Sequence, residues 1–223
     1  MSPAEPLVLL PGMNCSPRLW PPLPAVHGRL DRPTLDGCVD ALLDDLPDRF
    51  ALAGLSLGGI VAMALVRRAP SRVTRLCLMS TNARGPTEQQ REAWATQREA
   101  LAAGTTAREV QRALLPVLLH TRTSALDELA LTMASEVGEE TLDRQLALQA
   151  TRVDERPGLA AIRVPTLVVS AARDRLCPVA RHEEIHALVP GSRLVVLEGI
   201  GHLAPLEDPA GVGEVLERWF SAG

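Results

Sequence analysis

Ser56 stands between two glycines, in Gly54-Leu55-Ser56-Leu57-Gly58. An apolar run, Phe50 to Leu55, leads into it, and a small-residue, helix-like run, Gly58 to Ala69, leaves it. This context describes a tight strand–turn–helix bend that lifts a hydroxyl clear of a sheet. A side chain at 54 or 58 would collide across such a bend, and residue 56 would sit in strained backbone. A serine hydroxyl becomes a nucleophile only with a base beside it. The short pattern alone is weak, and the residues that follow it in the chain give it weight.

Asp174 follows Val168-Val169-Ser170-Ala171-Ala172-Arg173, and His202 closes Gly199-Ile200-Gly201-His202 after an apolar run ending at Leu197. Each lies just beyond a strand-like segment, and the order Ser, Asp, His belongs to one triad architecture. In it His202 takes the serine proton and returns it to the leaving group. Asp174 orients the imidazole and stabilises its charged form. The blander readings are a turn that merely contains serine, a surface histidine, and a loop aspartate capping the helix after Pro178. Asp143 and Asp154 are weaker substitutes for the acid. Glu207 reads as a structural hydrogen-bonding residue near the histidine loop. The expected oxyanion hole is the backbone N–H of Leu57 with that of Met13, aided by the dipole of the helix starting near Leu57.

Five further residues are candidates to touch substrate. Asn82 follows the third strand-like run, and Trp94, Leu114, Leu118 and Met133 could form an apolar acyl pocket. Packing against the body of the protein is the competing reading of such stripes. His182-Glu183-Glu184-Ile185-His186 matches His-Glu-x-x-His literally, but the segment is short and polar and lacks an obvious third ligand. No metal site and no cofactor are expected.

The composition narrows the field. All 23 basic residues are arginine, which excludes Schiff-base chemistry, pyridoxal phosphate and a phosphate-binding lysine. The net charge of −4 suggests neither nucleic acid nor an anionic membrane surface as partner. Two Phe, three Trp and no Tyr leave no base-stacking platform, so a pocket must be largely aliphatic. Cys15, Cys38, Cys77 and Cys177 have no paired spacing and read as reduced thiols. The first residues, MSPAEPLVLLPG, lack the features of a signal peptide, and no stretch is long enough to span a membrane. The expectation is a cytoplasmic monomer or homodimer acting on a small molecule.

The elements that must position these residues are legible as alternating runs. Strands are expected at Leu7–Leu10, Phe50–Leu55, Val73–Met79, Thr166–Ser170 and Leu194–Leu197, and helices at Cys38–Leu46, Gly58–Ala69 and Pro209–Phe220. Residues 15–36 are Pro-rich and ambiguous. Between about 86 and 156 the texture becomes helical throughout. Capping-box pairs Thr87/Gln90 and Thr106/Glu109 open helices there, and Gly104 and Gly138 sit at helix ends, giving about four helices and no strand. Strands alternating with helices indicate an α/β fold with a mainly parallel sheet flanked by helices. Residues 1–85 and 157–223 would form its core, with 86–156 inserted as a helical cap.

The chain resembles the alpha/beta-hydrolase superfamily over nearly its whole length. LVLLPGMNCSPRLW (7–20) is similar to the strand, oxyanion loop and following Trp. FALAGLSLGGIVAMALVRRAPSRVTRLCLMS (50–80) is similar to the nucleophile elbow, its helix and the next strand. VPTLVVSAARDRLCP (164–178) and LEGIGHLAPLEDP (197–209) are similar to the acid and histidine loops. The texture is that of small esterases and enol-lactonases with a short cap. Most members have two more strands ahead of the first one here, and a Gly-rich loop after the second strand that the span His27–Gly37 is too short to hold. Pro11-Gly12 replaces the common His-Gly, and Ala171 a common Gly. The resemblance therefore implies a sheet reduced at its N-terminal edge.

Three functions compete. The first is a serine hydrolase that cleaves a small ester, lactone or thioester through an acyl-enzyme. The second uses the triad for C–C hydrolysis, elimination or cyclisation in a biosynthetic pathway. The third is a ligand-binding protein that retains the triad, because fold does not fix function.

Overall fold

The computed structural model describes residues 5–221. The first four residues of the leader reading above, and the last two residues assigned to the core, lie outside them. Continuous apolar runs suit strands covered on both faces. Leu7–Leu10 (β1), Phe50–Leu55 (β3) and Thr166–Ala171 (β5) are such runs, and every residue in them is buried. Val73–Met79 (β4) and Arg193–Leu197 (β6) continue the sheet. The ambiguous Pro-rich stretch supplies one short strand, Val26–His27 (β2), which pairs Val8 with Val26 and Leu9 with His27. The sheet order is β2-β1-β3-β4-β5-β6, and every pairing is parallel.

The order reverses direction between β1 and β3. In open α/β sheets such a reversal opens a crevice at the carboxyl ends of the two strands. Pro11–Met13 follow β1 and Ser56 follows β3, so both expected halves of the oxyanion machinery lie at that crevice.

Among the described residues, six helices lie outside the inserted segment. They are Leu35–Asp45 (α1), Leu57–Arg68 (α2), Arg156–Leu159 (α6), Val179–Leu188 (α7), Ala204–Glu207 (α8) and Pro209–Ser221 (α9). Helix α1 starts three residues before the expected Cys38, because the Thr34 side chain caps it by accepting from the Gly37 N–H. Between β4 and β5 lie Glu88–Ala102 (α3), Ala107–Leu118 (α4) and Ser124–Thr151 (α5). Both capping boxes are present, at Thr87/Gln90 and Thr106/Glu109. Helix α5 breaks at Gly138 (φ 76°, ψ 167°), a conformation nearly closed to other residues, so the insertion holds four helical stretches.

This insertion is not a sealed unit. Leu101, Ala107, Val110, Leu142 and Leu146 form a small core of their own. Leu115, Leu118, Ala130, Leu131 and Met133 instead join the core on one face of the sheet, with Leu9, Ala53 and Val169. Leu148 joins the core on the other face. Among the described residues, no helix is long and apolar enough to cross a membrane.

Candidate active site

Ser56 joins the last residue of β3 to the first of α2 and holds φ at +54° and ψ at −112°. That backbone is costly for a residue with a side chain and persists only where its surroundings fix it. The Ser56 N–H donates to the Met79 carbonyl at 3.0 Å, and its own carbonyl accepts from Thr81 Oγ1 at 2.8 Å. The flanking glycines are required by contact. A Cβ on Gly54 would lie 2.3 Å from the Gly58 carbonyl oxygen, and one on Gly58 would lie 2.3 Å from the Leu10 carbonyl oxygen.

The loop after β5 turns at once. Asp174 N–H donates to Ala171 O, while Asp174 Oδ1 accepts from the N–H groups of Leu176 and Cys177, each at 2.8 Å. The other carboxylate oxygen, Oδ2, lies 2.8 Å from His202 Nδ1. Both side chains are buried. A carboxylate accepts, so this hydrogen bond is made by the tautomer with its proton on Nδ1, which turns Nε2 toward the cavity side as the acceptor. The histidine loop is pinned from three sides. Arg173 N–H donates to Ile200 O, Leu203 N–H donates to Leu118 O, and Gly201 N–H donates to Glu207 Oε1. Glu207 also accepts from the N–H groups of His120 and Thr121, so it plays the structural part expected of it. Asp143 pairs with Arg98 and Asp154 with Arg156, and of these three aspartates Asp174 is the one bonded to His202.

Ser56 and His202 line one cavity of about 190 Å³, together with Met13. Among the described residues no hydrogen bond joins Ser56 Oγ to His202. The N–H groups of Met13 and Leu57 likewise have no protein acceptor among the described residues, which suits donors held for a ligand. The loop carrying Met13 is held by Asn14. Its N–H donates to Gln145 Oε1 at 2.8 Å, and its Nδ2 donates to Ala107 O and Gln111 Oε1.

Of the substrate candidates, Asn82, Trp94, Leu114 and Leu118 line the cavity. Met133 does not. It is fully buried in the core shared with the sheet, because the apolar face of α5 at that point packs against β-strand side chains. The cavity also has a polar wall that the sequence reading missed, formed by Gln90, Gln97, Gln111, Gln149 and Arg152. Glutamine and arginine in amphipathic helices read as solvated residues, and nothing in their spacing marks Gln111, Gln149 and Arg152 as buried.

The other polar clusters are committed elsewhere. Asp174, Cys177 and His202 could gather around a cation. However, both Asp174 oxygens are already bonded, and burial, aided by the Asp174 charge, pushes the Cys177 thiol up to about 12. A protonated thiol is a poor metal ligand. The two histidines of the His-Glu-x-x-His match face different partners. His182 Nε2 accepts from the Thr81 N–H at 3.0 Å, and His186 Nδ1 lies 2.9 Å from Ser192 Oγ.

A family model described as the alpha/beta hydrolase fold matches residues 10–209. The chain belongs to the alpha/beta hydrolase family. This hydrolase is 31% identical, over 243 aligned residues, to the pimeloyl-[acyl-carrier protein] methyl ester esterase of Aromatoleum aromaticum. The alignment covers 95% of this chain and 96% of that protein. Among solved structures, a thermophilic esterase from Thermogutta terrifontis superposes with a TM-score of 0.85 at 24% identity, covering 96% of this chain and 89% of the other. The enol-lactonase of Burkholderia xenovorans gives 0.80 at 23% identity, covering 97% and 92%. At these identities the two structures bear on the fold of this hydrolase, and the site geometry must carry the chemistry.

Proposed function

We propose that this hydrolase cleaves a small carboxylic ester through an acyl-enzyme, with Ser56 as nucleophile, His202 as general base and acid, and Asp174 as the orienting acid. The observation that carries the reading is a strained serine and a buried, aspartate-paired histidine facing one cavity. In the first step His202 Nε2 takes the Ser56 Oγ proton as Oγ bonds to the ester carbonyl carbon. The negative oxygen that forms is held by the N–H groups of Met13 and Leu57, each such donor being worth roughly 3–4 kcal/mol in the transition state. The proton then passes to the departing alkoxide. Water, activated by the same imidazole, releases the acid and restores the serine.

The cavity volume, below the roughly 300 Å³ of common ligand pockets, supports a compact substrate. Residues 86–156 act as the cap that closes over it, since α3, α4 and α5 supply much of the cavity lining. The relative named as a methyl ester esterase supports ester over lactone or thioester as the first class to test.

A fluorophosphonate probe read by intact mass tests the assignment. Wild type is expected to gain one adduct, and Ser56→Ala and His202→Ala none. Equal labelling of Ser56→Ala would overturn it. If wild type labels, a panel of methyl esters, lactones and thioesters follows. Tight ligand binding without turnover would favour a binding protein instead.

A further inference from the structure

Arg152 follows α5 and is only 6% exposed, yet no carboxylate lies within ion-pair reach of it among the described residues. A guanidinium carries five N–H donors. Nη1 donates to Gln149 Oε1 and Nη2 to Gln90 Oε1, each at 3.0 Å, and Nε is buried with no partner. The remaining donors have no protein acceptor among the described residues. Its Cζ stands 5.1 Å from the Trp94 ring centre, so the aromatic face braces the guanidinium from one side. Burial lowers the Arg152 pKa to about 10, which still leaves it cationic at neutral pH.

A buried charge without a counter-charge is costly. Proteins keep such groups where a ligand supplies the opposite charge. A second polar side chain lines the same cavity. Gln111 is 1% exposed, its Oε1 is fixed by Asn14 Nδ2, and its Nε2 is buried with no partner among the described residues. Arg152, Trp94 and Gln111 all line the cavity that Ser56 and His202 share.

We propose that Arg152 and Gln111 form a carboxylate subsite, so that the substrate is an ester that also bears a free carboxylate, such as a half-ester of a short dicarboxylic acid. The planar guanidinium fork matches the two oxygens of a carboxylate, and Gln111 Nε2 adds a neutral donor. This rests on the ester-hydrolase reading and narrows its substrate class.

The test uses two arms. Monomethyl half-esters from succinate to adipate, and the matching neutral dimethyl esters, are titrated calorimetrically into Ser56→Ala, and both sets are assayed with wild type. One half-ester is expected to bind, and to be turned over in kcat/KM, roughly 10- to 100-fold better than its diester. Arg152→Met added to Ser56→Ala should erase that ratio, and Arg152→Lys should restore part of it. A ratio near one for every chain length overturns the subsite. So does a ratio that Arg152→Met leaves intact. If Arg152→Met fails to fold, the wild-type and Ser56→Ala ratios decide the matter without it. The two readings fail separately. Turnover of diesters with no half-ester preference overturns only the subsite. Arg152-dependent half-ester binding with no turnover supports the subsite and overturns the hydrolase.

Discussion

Gln145 Oε1 accepts the Asn14 N–H at 2.8 Å across 131 residues of chain, while Gln145 Nε2 donates to the Leu30 carbonyl at 3.1 Å. One buried amide thus ties α5 to the loop after β1 that carries the Met13 N–H. Asn14 itself holds φ at +57°, so the loop is a strained turn kept in place by its partners. Gln145→Leu keeps the volume and removes both bonds. It is expected to lower stability by about 1–3 kcal/mol, as buried groups lose their partners. It should also lower kcat by about 10- to 100-fold through misplacement of the Met13 N–H, the proposed oxyanion donor. Urea unfolding and ester turnover on the same preparation check this. A stability loss with unchanged kcat would show that Met13 has no part in the oxyanion hole.

Asp174 divides its work between its two oxygens. Oδ1 holds the loop through Leu176 and Cys177, and Oδ2 holds His202. Asp174→Asn keeps an acceptor for the loop but places an amide donor against Nδ1, which favours the tautomer with its proton on Nε2. That imidazole cannot take the serine proton. The expected loss in kcat is roughly ten-thousandfold, with stability changed far less. The pre-steady-state labelling rate with a fluorophosphonate, measured beside Tm, checks both halves.

The bend at Ser56 was legible because its requirement is local. Two glycines two residues either side of a serine state the collision they avoid. Asp174 and His202 were legible because strands with buried faces announce where their carboxyl ends must lie. Met133 was not. A stripe of apolar residues defines one face of a helix, and the period carries no sign of whether a sheet or a cavity meets it. The polar wall was hidden for a related reason. Gln90, Gln111 and Arg152 come from three separated segments, and only the packing of α3, α4 and α5 brings them to one cavity. Helix α1 starts ahead of Cys38 because Thr34 caps it from the end of a Pro-rich stretch that gave no clear period.

Gly54 and Gly191 are both glycines, and they should respond unlike each other to alanine. A Cβ on Gly54 meets backbone at 2.3 Å, and backbone cannot step aside as a flexible side chain can. Gly54→Ala is expected to cost about 3 kcal/mol or more. Gly191 has φ of +71° and open space around it. Gly191→Ala therefore carries only the conformational cost, about 1 kcal/mol. Chemical unfolding of the two variants gives the comparison, and equal costs would argue against the tight elbow.

Glu207 gathers three N–H groups, from Gly201, His120 and Thr121. It therefore fixes the histidine loop and the connection between α4 and α5 together. Glu207→Ala should cost about 2 kcal/mol, since charged acceptors of backbone N–H groups are among the stronger hydrogen-bond partners. His202 would lose its fixed approach to Ser56, and kcat should fall by about tenfold. Unchanged kcat with lowered Tm would show that the Arg173 and Leu203 bonds hold the loop without it.

His182 links acid pH to the elbow. It is fully buried, and burial lowers its pKa to about 4, with Asp174 opposing that shift and His202 adding to it. Above pH 6.5 the imidazole is neutral in folded and unfolded chains alike and contributes no pH dependence. Below pH 6.5 the unfolded chain binds a proton that the folded chain refuses until about pH 4. Stability therefore falls as pH drops through that window, by about 3 kcal/mol at its lower end. His182→Gln lacks this proton, so comparing the two proteins isolates what the buried imidazole contributes. The stability difference between wild type and variant should thus shrink by about 3 kcal/mol between pH 8 and pH 4, measured by urea unfolding at each pH. A constant difference would place the acid sensitivity elsewhere. The same proton reaches the site. Once His182 is charged, Nε2 can no longer accept the Thr81 N–H, and Thr81 is the residue whose hydroxyl holds the Ser56 carbonyl.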